Sequence, residues 1–165
     1  MKTVFFARHA KSSWDHAELS DFQRPLNNRG LRDAPFMGKL LHAKGAQPDL
    51  IISSPAVRAL TTAEYFAKAL GIAPSEIRQE KSVYEAFPED IMELIQALPD
   101  TLSTIFLFGH NPSMTALANQ FSPGFIANIP TCGVFQVDAE VAEWGAFTSE
   151  TGLLTAYHYP KQYFS

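Results

Sequence analysis

Short apolar runs alternate with helically spaced stretches along most of the chain. Val4-Phe5-Phe6-Ala7 reads as a first buried strand, followed by a polar stretch from Lys11 to Leu26 that is long for a connection and so suspected of function. A helix is expected to begin near Asn27 or Asp33, either being a suitable N-cap, and to run to Lys44 with Gly45 as its stop. Pro35 argues for the later start, since proline is tolerated in a first turn. A second strand, Asp49 to Ser53, leads into a helix opening at Ser54-Pro55, whose apolar face is Ala59, Ala63, Phe66 and Leu70 and whose stop is Gly71. Gln79 to Tyr84 reads as a short third strand. Pro88-Glu89-Asp90 starts a helix that turns Ile91, Leu94, Ile95 and Leu98 inward and stops before Pro99.

The fourth strand ends at Phe108, and Pro112 opens a helix from Ser113 to Phe121. Gly133 to Asp138 and Leu153 to Tyr159 alternate or carry aromatic residues, which suggests two strands flanking a loop around Glu143-Trp144. No repeat, low-complexity segment or dividing linker interrupts residues 1–165. The expectation is one domain, an α/β/α sandwich of three layers whose central sheet is mostly parallel and covered on both faces.

Composition narrows the function. The net charge of -4 comes without a lysine or arginine block, so nucleic-acid binding is not expected. The lone Cys132 excludes an internal disulfide and a cysteine metal cluster. Met1-Lys2-Thr3 enters directly into a run too short to span a membrane and without a small-residue cleavage site, so a cytoplasmic chain without a signal peptide is expected.

The chemistry lies at the strand ends. Arg8-His9 follows the first apolar run, Arg58 follows the second in Ser53-Ser54-Pro55-Ala56-Val57-Arg58, and His110 follows Thr104-Ile105-Phe106-Leu107-Phe108 in Gly109-His110-Asn111-Pro112. In open α/β sheets ligands bind beyond the carboxyl ends of the strands. Two arginines and two histidines converging there would make a pocket for a phosphoryl group. Transfer of that group to histidine needs one ring nitrogen free to attack and the other held in a fixed tautomer. It also needs donors that keep their charge around the non-bridging oxygens, a task suited to guanidinium. Arg8 and Arg58 fit the clamp; His9 or His110 fits the nucleophile, and the other would donate to the phosphate. Alone, each signal has a bland reading as a solvated or core residue, and His16, His42 and His158 are read that way. Their shared location after three strands sets the four apart. No histidine or cysteine ligands appear at metal spacing, so neither metal nor cofactor is expected.

The residues Ala7-Arg8-His9-Ala10-Lys11-Ser12-Ser13-Trp14 resemble the signature of the histidine phosphatase superfamily, with its phosphoglycerate-mutase-like fold, in the form similar to the SixA-type phosphohistidine phosphatase branch. The likeness continues through Asp21-Phe22-Gln23-Arg24-Pro25-Leu26-Asn27, Arg29-Gly30 and Arg32-Asp33-Ala34-Pro35. It resumes at Ser53-Ser54-Pro55, Arg58-Ala59, Thr62-Ala63-Glu64, Tyr84-Glu85-Ala86 and Gly109-His110-Asn111-Pro112, covering the chain to about Met114. The C-terminal third matches only in general pattern.

The resemblance implies His9 as the phospho-accepting nucleophile, Arg8 and Arg58 as phosphate ligands, and His110 as the second histidine, which hydrogen-bonds the phosphate. Glu85 lies about where many members of the superfamily carry a general acid, and it equally reads as an exposed loop carboxylate. Lys11, Ser12 and Ser13 lie within reach of a phosphate at His9. Arg24 either pairs with Asp21 to hold the loop or faces the substrate, while Trp14 and Phe22 suit a lid or a docking surface. A protonated imidazole leaves readily, so a pocket without a strong acid favours phosphoryl groups on nitrogen. The leading expectation is a metal-independent phosphatase with a phosphohistidine intermediate, acting on a phosphohistidine protein. Only one helix's length separates Arg58 from Tyr84, which leaves no insertion to roof the pocket. The alternatives are a phosphatase of small phosphomonoesters or nucleotides and a phosphate-binding module without catalysis.

Overall fold

The computed structural model describes residues 1–164. Six strands form one mixed sheet: β1 (Lys2–Arg8), β2 (Leu50–Ser53), β3 (Arg78–Gln79), β4 (Thr104–Gly109), β5 (Val134–Ala139) and β6 (Gly152–His158). Their order across the sheet is β3-β2-β4-β1-β5-β6. The first four are parallel to one another, and β5 and β6 add an antiparallel edge. Four helices cover the sheet: α1 (Asn28–Ala43), α2 (Val57–Ala69), α3 (Pro88–Gln96) and α4 (Ser113–Phe121).

Alternation along the strands sorts the core into two halves. Phe5, Ala7, Ile51, Phe106 and Phe108 face Met37 and Leu41 of α1 and Phe66 of α2. Val4, Phe6, Ile52, Ile105 and Leu107 face Ile91 and Ile95 of α3 and Met114 and Leu117 of α4. Every central strand is therefore buried on both sides, which explains its unbroken apolar run. Stacked rings reinforce each half: Phe5 on Phe106 with centroids 4.5 Å apart, and Phe6 on Phe135 at 5.0 Å. The expected three-layer α/β architecture holds.

Four local expectations are corrected. The helix α1 begins at Asn28, not Asp33, because Asn27 caps it by accepting from the Gly30 N–H at 3.0 Å. Pro35 is accommodated inside the helix, and the carbonyl it leaves without a donor belongs to exposed Leu31. The third strand stops at Gln79; the chain then turns through a 3-10 segment, Lys81–Val83, which buries Val83. The helix α2 starts at Val57 rather than Pro55, because the Ser54 hydroxyl accepts from the Ala56 N–H at 3.2 Å and forms a turn ahead of the helix. The loop expected around Glu143-Trp144 is a 3-10 turn, yet Trp144 is fully buried, with Nε1 donating to the Leu102 carbonyl at 2.9 Å.

Gly30 sets how closely α1 approaches the loop after β1. A Cβ there would lie 2.2 Å from the Lys11 carbonyl oxygen, so backbone would have to move. Gly30→Ala should cost about 1–3 kcal/mol of stability, the usual range for overpacking. Gly124→Ala, where a Cβ meets nothing within 4 Å, should stay within about 0.5 kcal/mol of the parent. Denaturant titration of the two variants checks the difference.

Candidate active site

Strands β1 and β4 are neighbours, and the chain leaves them toward opposite faces: β1 toward α1, β4 toward α4. Such a reversal opens a crevice at the carboxyl edge. Its floor is tied by the His9 N–H, which donates to the Gly109 carbonyl at 3.0 Å. The imidazoles of His9 and His110 stand with centroids 5.2 Å apart. Arg8, His9, Arg58 and His110 line a single cleft of about 290 Å3, together with Lys11, Ser12, Trp14, Arg24, Asn111 and Thr131. A roomier cavity of about 630 Å3 along α2, between Thr61 and Pro74, is lined by neither histidine nor arginine.

His9 is buried, and its Nδ1 lies 2.7 Å from the Ala10 carbonyl oxygen. A carbonyl only accepts, so Nδ1 carries the proton and Nε2 bears the lone pair. Burial lowers the His9 pKa to about 3; the Ala10 hydrogen bond opposes this, and His110, Arg58 and Arg8 add to it. The ring is therefore neutral near pH 7. His110 places Nε2 2.8 Å from the Ser54 hydroxyl, and its pKa falls to about 4 through burial and the charge of Arg58.

The arginines are held by acceptors that leave donors over. Arg8 donates from Nη1 to the Ile129 carbonyl at 2.9 Å. Burial lowers its pKa, with help from Arg29 and Arg58, though guanidinium keeps its charge. Arg58, in the first turn of α2, donates from Nη1 to the Asp21 carbonyl at 2.6 Å and from Nη2 to Asp21 Oδ2 at 3.0 Å. Arg24 meets Asp21 Oδ1 from the other side, with Nε and Nη2 each at 3.2 Å. Tyr84 also donates its hydroxyl to Asp21 Oδ2 at 2.8 Å. Partial burial would raise the Asp21 pKa, but the bonds from Tyr84, Arg58 and Arg24 outweigh it and hold the carboxyl at about 2. Among the described residues, four buried side-chain polar atoms have no protein partner; three of them are Arg8 Nε, Arg58 Nε and His110 Nδ1. Unpaired buried Nε–H donors on guanidinium are costly, and an oxyanion in this cleft would satisfy them, as it would His110 Nδ1 in the tautomer that carries its proton there.

The remaining expected residues divide. Lys11 and Ser12 line the cleft, but the Ser12 hydroxyl already accepts from Arg24 Nη1 at 2.7 Å. Ser13 caps a turn, accepting from the Asp15 N–H at 3.1 Å. Arg24 does hold the loop through Asp21, and its guanidinium lies 3.6 Å over the ring of Trp14, which is 73 % exposed. Phe22 packs edge-on against Tyr84. Glu85 is exposed, with φ 55, and lines an adjoining cavity of about 360 Å3 that shares His110 and Asn111 with the cleft. His16, His42 and His158 do not line the cleft. Sequence reading missed Asp21 as the acceptor of Arg58, Ser54 as the partner of His110, and Thr62, whose hydroxyl accepts from the Ala10 N–H at 3.0 Å and donates to the Arg58 carbonyl at 2.7 Å. The serine before a proline was visible, but it signalled a helix cap rather than a histidine partner.

The chain is similar to known proteins in sequence and in fold. The profile of the histidine phosphatase superfamily (branch 1) matches residues 4–94. An uncharacterised protein of Mycobacterium tuberculosis is 34% identical over 137 residues, which cover 82% of this chain and 76% of that protein. Among solved structures, one from Agrobacterium tumefaciens, described as a candidate SixA phosphohistidine phosphatase, superposes with a TM-score of 0.81. It is 28% identical, over 96% of this chain and 98% of its own. The protein histidine phosphatase SixA complexed with tungstate superposes with a TM-score of 0.82 at 22% identity, over 97% and 98% of the two chains.

The two neutral histidines give the free protein a defined acid response. A histidine whose folded pKa lies below 6.5 binds its proton more readily once unfolded, so stability is full above 6.5 and falls as pH drops toward the folded value. The slope is at most about 1.4 kcal/mol per pH unit for each ring. Asp21 adds a further loss only below its unfolded value of 3.8. Urea denaturation at pH 7, 6 and 5 should therefore show falling stability, and His9→Gln and His110→Gln should each flatten the slope.

Proposed function

The chain belongs to the histidine phosphatase superfamily, branch 1, and we propose that this phosphatase removes the phosphoryl group from phosphohistidine on a partner protein, passing it through His9. One observation carries the reading: the Nδ1 of His9 is tied to the Ala10 carbonyl, which leaves Nε2 as the free nitrogen of a ring beside Arg8, Arg58 and His110.

In the proposed reaction, His9 Nε2 forms a bond to phosphorus as the bond from phosphorus to the substrate imidazole breaks. The substrate ring carries its proton on the nitrogen not bound to phosphorus, so it departs as neutral imidazole with the bond pair on its leaving nitrogen. Water then attacks the phosphoryl group on His9, releases inorganic phosphate and returns the ring to its starting state. Arg8 and Arg58 hold the non-bridging oxygens throughout, with Arg58 aimed by Asp21. His110 donates to the same oxygens, and the negative charge of the bound group offsets the burial that lowers its pKa. Positioning and electrostatics supply most of such catalysis.

Two features favour a histidine displayed on a protein surface. Between α2 and α3 the chain adds only β3 and two 3-10 turns, Pro74–Glu76 and Lys81–Val83, so no long insertion roofs the cleft. Glu85, the candidate acid, stands on an exposed loop and lines the adjoining cavity rather than the cleft, an arrangement that suits an imidazole, which leaves without a strong acid, better than an alcohol. The similarity to the Agrobacterium protein over nearly the whole of both chains points the same way.

Incubation with labelled phosphohistidine protein should leave an acid-labile, base-stable phosphoryl group on the enzyme, absent from His9→Ala. Phosphohistidine protein and phosphoramidate should turn over faster than a panel of sugar phosphates, nucleotides and phosphoserine, and EDTA should not abolish the activity. A His9→Ala variant with undiminished turnover would falsify the covalent route, and a preference for phosphate esters would move the substrate to the small molecules of the panel.

Glu85 has its own test. Glu85→Gln should slow hydrolysis of alkyl phosphates by about a hundredfold, the scale of general acid catalysis, and change phosphohistidine turnover little. Equal losses on both substrates would make Glu85 a positioning residue; no loss on either would leave it a solvated carboxylate.

A further inference from the structure

Beside the cleft, on the other side of Thr131, lies a second cavity of about 240 Å3. Among the described residues, three cations reach it, Arg29 and Arg32 from the first turns of α1 and Lys161 from the segment after β6, against one carboxylate, Asp33. In a chain whose net charge is -4, such an excess is local and built rather than general. Thr131 lines both cavities, and its hydroxyl accepts from Arg29 Nη2 at 3.0 Å. Arg29 is also close enough to Arg8 for their charges to interact.

The way the arginines are held matches the cleft. Asp21 fixes Arg58 and Arg24 there; here fully buried Asp33 fixes Arg32, with Oδ1 accepting from Nε at 2.9 Å and Nη2 at 2.8 Å, and draws Arg29 Nε to 3.6 Å from Oδ2. The Arg32 guanidinium is further pinned 4.1 Å over the ring of Phe164. Asp33 thus hydrogen-bonds Arg32 alone, and its Oδ2 has no hydrogen-bond partner among the described residues; the donors that Arg32 and Arg29 keep free form a preorganised anion acceptor. We propose that this cavity is a second anion subsite, which takes a carboxylate or phosphate carried by the same substrate whose phosphoryl group enters the cleft. The inference rests on the cleft being the phosphoryl site, and it narrows the substrate class to molecules with a second negative group beside the phosphorylated one.

Isothermal titration with ligands that cannot be hydrolysed tests this apart from turnover. One pair is a phosphonate peptide with glutamate beside the phosphonate residue and the same peptide with glutamine. The other is an alkyl bisphosphonate and the matching monophosphonate. The charged member of at least one pair should bind the parent protein five-fold or more tightly than its neutral counterpart, and Lys161→Gln and Arg32→Gln should each reduce that ratio to less than two-fold. An advantage confined to the peptides identifies an acidic protein segment as the source of the anion; one confined to the bisphosphonate identifies a small molecule. Because Arg32→Gln removes a partner of buried Asp33, a thermal melt accompanies it, and Lys161→Gln, which leaves that pair intact, carries the result if Arg32→Gln unfolds. Equal binding within both pairs, or an advantage untouched by Lys161→Gln, overturns the subsite. A retained advantage in a protein that never labels His9 would keep the subsite and overturn the catalytic reading instead.

Discussion

The parallel pairing of β1 with β4 is the constraint on which the rest of the molecule depends. It sets Arg8 opposite Gly109 in register, so the chains that continue past those residues carry His9 and His110 out of the sheet side by side. One chain turns to α1 and the other to α4, so the two leave the sheet edge on opposite faces. The two apolar half-cores, packed on opposite faces of the same strands, hold that divergence open. The cleft is thus a product of sheet topology, and side chains only line it.

Lining it has an electrostatic cost, which the loop between β1 and α1 offsets. Two arginines and two imidazoles share a confined space, and burial makes charging any of them harder. Both rings answer by remaining neutral, while the guanidinium groups cannot. Asp21 supplies the compensating charge to Arg58 and Arg24 from a 3-10 turn, Asp21–Gln23, thirty-seven residues before Arg58 in the chain. The long polar stretch after β1 is accordingly no idle connection: it delivers the counter-ion that holds Arg58 and Arg24 in place, and it leaves the Arg58 Nε donor unspent.

Much of this was legible in the sequence because it is local. Unbroken apolar runs marked β1, β2 and β4, and a charged or imidazole residue just past each end marked the cleft; burial on both faces of a parallel strand makes both signals plain. Helices α3 and α4 began where their prolines placed them. What escaped depends on partners distant along the chain. Pro35 misplaced the start of α1, since sequence alone does not reveal that Leu31, whose carbonyl loses its donor, lies exposed. Ser54 read as a helix cap while its hydroxyl serves His110, and Gln79 to Tyr84 read as one strand although of that span only Gln79 finds a pairing edge on β2. Glu85 was placed near the chemistry by its distance after the strand, yet the left-handed turn at that residue directs the chain along the adjoining cavity.

The two tryptophans stand in opposite surroundings, and this gives the protein a built-in optical contrast. Trp144 is sealed under the sheet, its indole N–H tied to Leu102 and its ring covered by Lys2. Trp14 lies open to water at the rim of the cleft, directly beneath the guanidinium of Arg24. Indole emission shifts to the red with exposure to water, so the fluorescence of this chain separates into a blue, unquenchable component and a red one open to acrylamide. Any ligand that draws Arg24 toward the cleft changes only the red component, leaving Trp144 as an internal reference within the same molecule.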